Sequence, residues 1–454
     1  MDVLDSALKP EISKVLNAPR PRVFNHWTAV LHCGNENIKP MYVDEVNLMR
    51  NYAKSFGENL SITLTIPEGD FNFMVYPNRE KLQITLKQEP LHSGTGFVKN
   101  RDDTVKTKRY NAVLMDQRSS VIEQNSPTVA SRQTANRMNF IRVQIQLVDP
   151  ILDYIRKSTF GATFRQTTGA TALRAFLGYI SQTVTEGTER RISGVDVCEG
   201  FNPKVIEQCT VPHQTPMEKV PLIIDQESGG IYPTGMRYFL QEDHWFIYPI
   251  YDIRRYDKSA RVVNLINVPR GRLTGIETSY RQTQNQVIIL ATGEAKQFDP
   301  SQALRLQEGN AVRYIDAVQL FDDGITQSGN KSYANPDKTI SEITVDPMGQ
   351  NTDMAKLSEK VITARHYQEL SKLAERSGFY IQLEWENANA DVIYPGMAAK
   401  YSYLNGRDQV EELYGCVVGI QTRHTPTTNN PVERMFSCKA AITLFLERNV
   451  KERK

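Results

Sequence analysis

Phe379-Tyr380-Ile381-Gln382-Leu383-Glu384-Trp385-Glu386 sets Phe379, Ile381, Leu383 and Trp385 at alternate positions, with polar or tyrosyl side chains between them. A period of two is the signature of a strand with one face in a core and one in water. This strand stands inside a longer block, Thr352 to Asn449. Before it, Met354, Leu357, Val361, Ala364, Leu370, Leu373 and Ala374 recur at helical spacings, which predicts a helix over 352–376 with one buried stripe. Gly378 is expected to cap that helix in a left-handed conformation. After the strand comes a Tyr394-Pro395-Gly396 corner. In the last strand Phe436, Cys438, Ala440, Ile442, Leu444 and Leu446 alternate with Ser437, Lys439, Ala441 and Thr443. The block holds no grouping of nucleophile, base or metal ligand. It reads as a part made to be assembled.

The chain's 454 residues exceed one ordinary core, so about two to four domains are expected. Lys and Arg total 54 against 52 Asp and Glu, a net +2, which argues against a dedicated nucleic-acid binder. No apolar run approaches the ~18 residues needed to span a bilayer, and Met1-Asp2-Val3-Leu4-Asp5 does not resemble a signal peptide. The expectation is a protein made and folded in a cytoplasm. Cys33, Cys198, Cys209, Cys416 and Cys438 are odd in number and scattered, so free thiols are expected rather than a disulfide scaffold or zinc site.

Residues 1–23 read as an N-terminal arm interrupted by Pro10, Pro19 and Pro21, with a short helix conceivable between Val3 and Leu16. Residues 24–147 read as a first β-barrel. Ile62, Leu64 and Ile66 alternate; Pro67-Glu68-Gly69-Asp70 is a turn; Phe71, Phe73 and Val75 resume the alternation to Tyr76-Pro77; Leu82, Ile84 and Leu86 follow. Residues 88–137 are expected to be an inserted loop with one strand near Tyr110–Met115. Val143, Ile145 and Leu147 return to strand spacing.

At Asp149-Pro150 the pattern turns helical, and 148–228 are expected to form a small helical α+β domain. Its main helix starts near Thr168, with Leu173, Phe176, Leu177 and Ile180 on one face. Residues 229–291 read as the first part of a second barrel, with strands at Met236–Gln241, Trp245–Pro249, Val262–Val268 and Val287–Ala291. Residues 292–350 are expected to be a loop or appended lobe, and 351–454 to supply the helix and closing strands. Phe73–Pro77 echoes Phe246–Pro249, each read as a strand ending in Tyr-Pro, which fits a duplicated barrel. The fold class is therefore mainly β with an α+β insert: two similar antiparallel barrels, a small helical domain and long loops.

Motifs that carry chemistry are scarce in the chain. No P-loop, no strand-linked G-x-G-x-x-G, no G-x-S-x-G elbow and no H-E-x-x-H occurs. The histidines (His26, His32, His92, His213, His244, His366, His424) lack metal-ligand spacing. Glu384 and Glu386 read as the solvent face of one strand; Asp322-Asp323 and Glu411-Glu412 are mere neighbours. Lys99, Arg101, Lys106, Lys108 and Arg109 read as a solvated loop, and Cys416 as a buried inert thiol. No catalytic, cofactor-binding or metal residue is assigned, no cofactor is expected, and the chain is not expected to be an enzyme.

The order of parts is more specific than any motif. Asp70-Phe71 to Tyr76-Pro77 and Leu82-Gln83-Ile84 lie in the first barrel. Val143–Leu147 then leads into Phe164-Arg165-Gln166-Thr167-Thr168 and a helix. Closure follows through Phe379–Leu383, Ile393-Tyr394-Pro395-Gly396-Met397 and Tyr414-Gly415-Cys416-Val417-Val418. This arrangement resembles the central hub protein of contractile phage-tail baseplates and the N-terminal half of type VI secretion spike proteins. The Pro395-Gly396 corner and the Gly415-Val417-Val418 strand fit that family's pattern, while the arm and the two long loops depart from it. The resemblance implies a homotrimer, a symmetry adaptor joining a six-fold tail tube protein to a three-fold central spike protein and sealing the tube until DNA ejection. Tape-measure and baseplate wedge proteins would be further neighbours, and the location the virion, with assembly in the host cytoplasm and no membrane or specific nucleic-acid partner. Another baseplate or tail-tip structural protein is the alternative. A cell-wall- or capsule-degrading, or carbohydrate-binding, β-protein is the lower one.

Overall fold

The computed structural model describes residues 8–17, 22–92, 105–115, 140–187, 190–198, 202–232, 234–268, 279–291, 296–298, 374–375, 378–404, 409–427 and 434–447. The expected helix over 352–376, the lobe over 292–350 and the charged tail lie almost wholly outside these residues, as does Asp322-Asp323. The chain is mainly β with a helical insert, as its periodicity predicts.

Strands β1 (Arg22–Cys33), β3 (Tyr42–Asn51), β4 (Asn59–Pro67), β5 (Gln83–His92), β6 (Lys106–Leu114) and β7 (Phe140–Val148) make the first barrel, with short β2 (Glu36–Ile38) paired to the end of β1. In β4, Leu60, Ile62, Leu64 and Ile66 are all buried, against Val143, Ile145 and Leu147 of β7 and Ile84 and Leu86 of β5. Each such side chain contributes about 1.5–3 kcal/mol by leaving water. These six strands do not close alone. The ring β1-β5-β6-β7-β4-β3 is completed by β19 (Val410–Pro426) and β20 (Phe436–Glu447) from the far end of the chain.

The segment after β4 departs from the expected strand. Glu68–Asp70 and Phe71–Val75 are helical. Val75 is fully buried, Phe71 and Met74 pack beside it, and Phe73 is 83% exposed. A strand would have put Phe73 on the same face as Phe71 and Val75. Pro67, with φ −59°, precedes the first helical residue, and the three- and four-residue spacing of the packed side chains then wins. The echo with Phe246–Pro249 is one of letters, because only the later stretch is a strand.

The middle domain holds α2 (Pro150–Lys157), β8 (Thr159–Thr168), α3 (Gly169–Gly187), β9 (Gly194–Val197), β10 (Val205–Pro216) and α4 (Val220–Glu227). Asp149 caps α2 by accepting from the Ile151 amide at 2.9 Å. Thr168 Oγ1 accepts from the Thr171 amide at the start of α3, and Leu173, Phe176, Leu177 and Ile180 form the buried face the spacing predicts. The hairpin β11 (Met236–Gln241)–β12 (His244–Pro249) was expected in the second barrel. It instead pairs with β9, and Tyr238, Leu240, Trp245 and Ile247 join the middle core. Its other face sends Phe239 and Tyr248 into the second barrel. A strand covered on both sides loses the alternation that would have shown its allegiance.

The second barrel comprises β13 (Val262–Asn267), β14 (Tyr280–Gln282), β15 (Gln286–Ala291), β16 (Lys296–Phe298), β17 (Gly378–Glu386) and β18 (Ala398–Leu404) with β19 and β20. Two of its pairings, β13 with β15 and β13 with β18, are parallel, where uniformly antiparallel pairing was expected. Those strands are buried on both faces. Val263, Leu265, Val287 and Ile289 face the barrel core, while Ile266, Val268, Ile288 and Leu290 face outward. The outward face is covered by α1 (Lys9–Leu16) of the N-terminal arm through Leu8, Ile12 and Val15. That part of the arm is docked, because its apolar stripe matches an apolar sheet face.

Strands β19 and β20 are common to both barrels. Val410–Cys416 pairs with β18, a register shift falls between Val417 and Gly419, and Gly419–His424 pairs with β3. Gly378 opens β17 without a left-handed φ and is not a helix cap. A Cβ there would meet the Leu446 carbonyl and the Phe445 ring, and one on Gly415 would strike the Phe445 carbonyl. At the predicted corner Gly396 has φ +68° and packs against the Tyr248 ring, which requires glycine twice over.

Candidate functional site

The residues singled out for chemistry are dispersed. Glu384 faces solvent and Glu386 pairs with Lys439 at 3.6 Å. Glu411 accepts from the Tyr403 hydroxyl and Glu412 from Lys400 Nζ. His26 bonds the Arg434 carbonyl, His32 bridges Asn37 and Thr85, and His424 lies edge-on to Trp27 at 5.2 Å. Cys416 is buried, and burial pushes its thiol up to about 12. Among the described residues no group of three His, Cys, Asp or Glu stands close enough to hold a metal. Lys99 and Arg101 lie outside the described residues, while Lys106, Lys108 and Arg109 lie on β6, paired with β5, and not in the expected loop.

What the fold does bring together is a charged junction where both barrels and the middle domain meet. Arg50 of β3 is 4% exposed. Its Nη1 donates to the Ala390 carbonyl at 2.9 Å, its Nε and Nη2 donate to Glu58, and Asp391 stands 3.9 Å away. Burial alone would lower the guanidinium's affinity for its proton; Glu58, backed by Asp391, more than offsets that and holds it above its ordinary value. Lys106 of β6 reaches Glu242 at 2.5 Å and Asp391 at 3.1 Å, and the same contest ends with its ammonium held up. Tyr52 donates to Gln241, Gln241 to the Ile393 carbonyl, and the Tyr248 hydroxyl to the Tyr52 carbonyl at 2.7 Å. Burial raises the Tyr52 phenol well above its usual range, so it stays a neutral donor. A cavity of about 70 Å³ lies against this network, lined by Trp27, Lys106, Glu242, Asp391 and His424 among others.

Two further ties cross the same boundary. The Leu240 amide donates to the Phe56 carbonyl at 2.8 Å, and Arg237 Nε donates to the Ala53 carbonyl at 2.7 Å. Arg190 bridges Asp149, which caps α2, and Asp243 at the hairpin tip. These groups hold elements of three units in one geometry. Each carboxylate here contacts a cation. Toward the opposite ends of β3, β4 and β7, Met41, Phe73, Tyr76 and Phe140 are exposed.

Sequence reading missed Arg50, Arg190, Glu242 and Asp243, and it placed Lys106 in a solvated loop where the structure has it on β6 in ion pairs with Glu242 and Asp391. One signal was present: Glu242-Asp243 lies in the short gap between the strands expected at 236–241 and 245–249, where a two-residue turn ordinarily calls for Asn-Gly.

These features define a mainly β protein of two fused barrels, a helical insert and a bonded junction. Neither a protein-family model nor a curated protein sequence matches the chain. Among solved structures it is similar to a 43 kDa tail protein of prophage MuSo2 from Shewanella oneidensis, at 9% identity and a TM-score of 0.44, covering 94% of this chain and 100% of that one. A tail protein from Neisseria meningitidis is similar at 8% identity and a TM-score of 0.42, covering 92% and 96%. A type VI secretion component from E. coli, described as structurally similar to bacteriophage T4 tail proteins, gives 8% identity and a TM-score of 0.38, covering 91% and 76%.

Proposed function

We propose that this chain is a structural hub of a phage tail baseplate. It forms a trimeric ring that joins a six-fold tail tube to a three-fold central spike and closes the tube end until DNA ejection. The observation that carries the reading is the shared hairpin. Because β19 and β20 are wall strands of both barrels, each chain carries two barrels joined through shared strands. Three copies about an axis then present six barrels, and closed rings of this kind repeat one heterologous contact at every step. The closed first barrel also hides strand edges that would otherwise recruit stray partners. The work is done by shape and interfaces, without catalysis.

Light scattering tests the ring. A mass of three chains of 51.7 kDa each is expected, alone or with tube or spike protein. A monomer under both conditions would overturn the reading. Imaging of the assembled particle separates a hub on the central axis from a tail-tip or baseplate component beside it. Release of fragments from peptidoglycan or capsule by the purified chain would favour an enzyme instead.

A further inference from the structure

The tip of the β11–β12 hairpin is built against its own backbone preference. Gln241 pairs with His244, so Glu242 and Asp243 form a two-residue connection. Their φ values are +53° and +62°. Both residues of such a mirror-type turn need positive φ, which Asn-Gly or Asp-Gly accept and which a Cβ and a longer side chain resist. Two adjacent acidic residues here are a poor choice for the turn itself.

The side chains account for the choice. Glu242 meets Lys106 of β6, and Asp243 meets Arg190, which also holds Asp149 at the end of β7. The Asp243 carbonyl further accepts from the Ser193 amide and hydroxyl. The partners lie on two sides of the tip, one on the first barrel and one on the middle domain. Just behind it the Leu240 amide reaches the Phe56 carbonyl across the same boundary.

We propose that Glu242-Asp243 is a clasp. Its backbone strain is retained because Glu242 fastens the hairpin, and with it the middle domain, to β6 of the first barrel, while Asp243 holds the tip through Arg190 to Asp149, which directly follows β7. The clasp sets the stiffness of each chain and does not depend on what the assembled ring binds.

The test replaces the clasp with the preferred turn, Glu242→Asn with Asp243→Gly. If the residues are merely a turn, the variant relieves strain and the melting temperature rises. If they are a clasp, the melting temperature falls, and the Leu240 amide exchanges its hydrogen faster by about tenfold or more. The Tm loss should shrink in ~1 M salt, where charge pairs near the surface are screened. A higher Tm, or a lower Tm with Leu240 protection intact, overturns the proposal. Should that variant not fold, Glu242→Gln with Asp243→Asn keeps shape and removes charge, and is judged by the same Leu240 amide. Trimer mass is read in parallel, so loss of the clasp and failure of the ring are told apart.

Discussion

Asp225 shows how one side chain can work against the fold at ordinary pH. It lies in the last turn of α4, accepts from the Ile231 amide at 2.7 Å, and is half-buried. Burial pushes its carboxyl up to about 6, and the amide and Arg237 pull back only part of the way. An acid whose folded value stands above its unfolded one binds more protons when folded. Stability therefore falls as pH climbs from about 4 to about 6, and is flat above that range. Asp225→Asn keeps an oxygen for the Ile231 amide and removes the charge. It is expected to raise stability by roughly 1–2 kcal/mol at pH 7 and to change little at pH 4. Denaturant unfolding at the two pH values decides it, and an equal effect at both would refute the assignment. Nothing local in the sequence marks Asp225; its burial comes from packing. Cys416 differs, because the apolar run around it already predicted an inert thiol.

At the scale of elements, α3 and the terminal hairpin behave differently. The face of α3 was legible because one side of a helix meets one core, and the four residues named from spacing are all buried. Gly178 lies on its open side, where an added Cβ meets nothing within 4 Å. Gly178→Ala is expected to stabilise the domain by about 0.5–1 kcal/mol through helix propensity. A loss measured by thermal unfolding would mean that this face is covered in the assembled protein. Gly415, inside β19, has no such room, since its neighbour there is a backbone carbonyl. The helical segment Glu68–Val75 misled for a definite reason. Phe71, Phe73 and Val75 carry a strand's period, while Phe71, Met74 and Val75 carry a helix's; the choice rested on which set could reach the core. The β11–β12 hairpin misled because both its faces are covered.

For the whole molecule, the three tryptophans happen to be distributed one per unit: Trp27 in the first barrel, Trp245 in the middle domain and Trp385 in the second barrel. Variants keeping one tryptophan at a time turn fluorescence into three local probes. With β19 and β20 shared, Trp27 and Trp385 are expected to report coincident transitions in denaturant. Two separated transitions would mean that the barrels unfold independently and that the shared strands do not couple them.

Local sequence pattern sufficed for the mainly β class, the alternating faces of β4, β7, β17 and β20, the helical insert and the Gly396 corner. Each of these depends on neighbours a few residues away, where periodicity and backbone sterics act. Tertiary packing settled that the last two strands are shared by both barrels, that β11–β12 belongs to the middle domain, and that Arg50, Lys106 and Arg190 find their carboxylates at the junction. Those outcomes join residues distant in the chain. They are set by which apolar faces and charges can be buried together, and no local pattern carries that information.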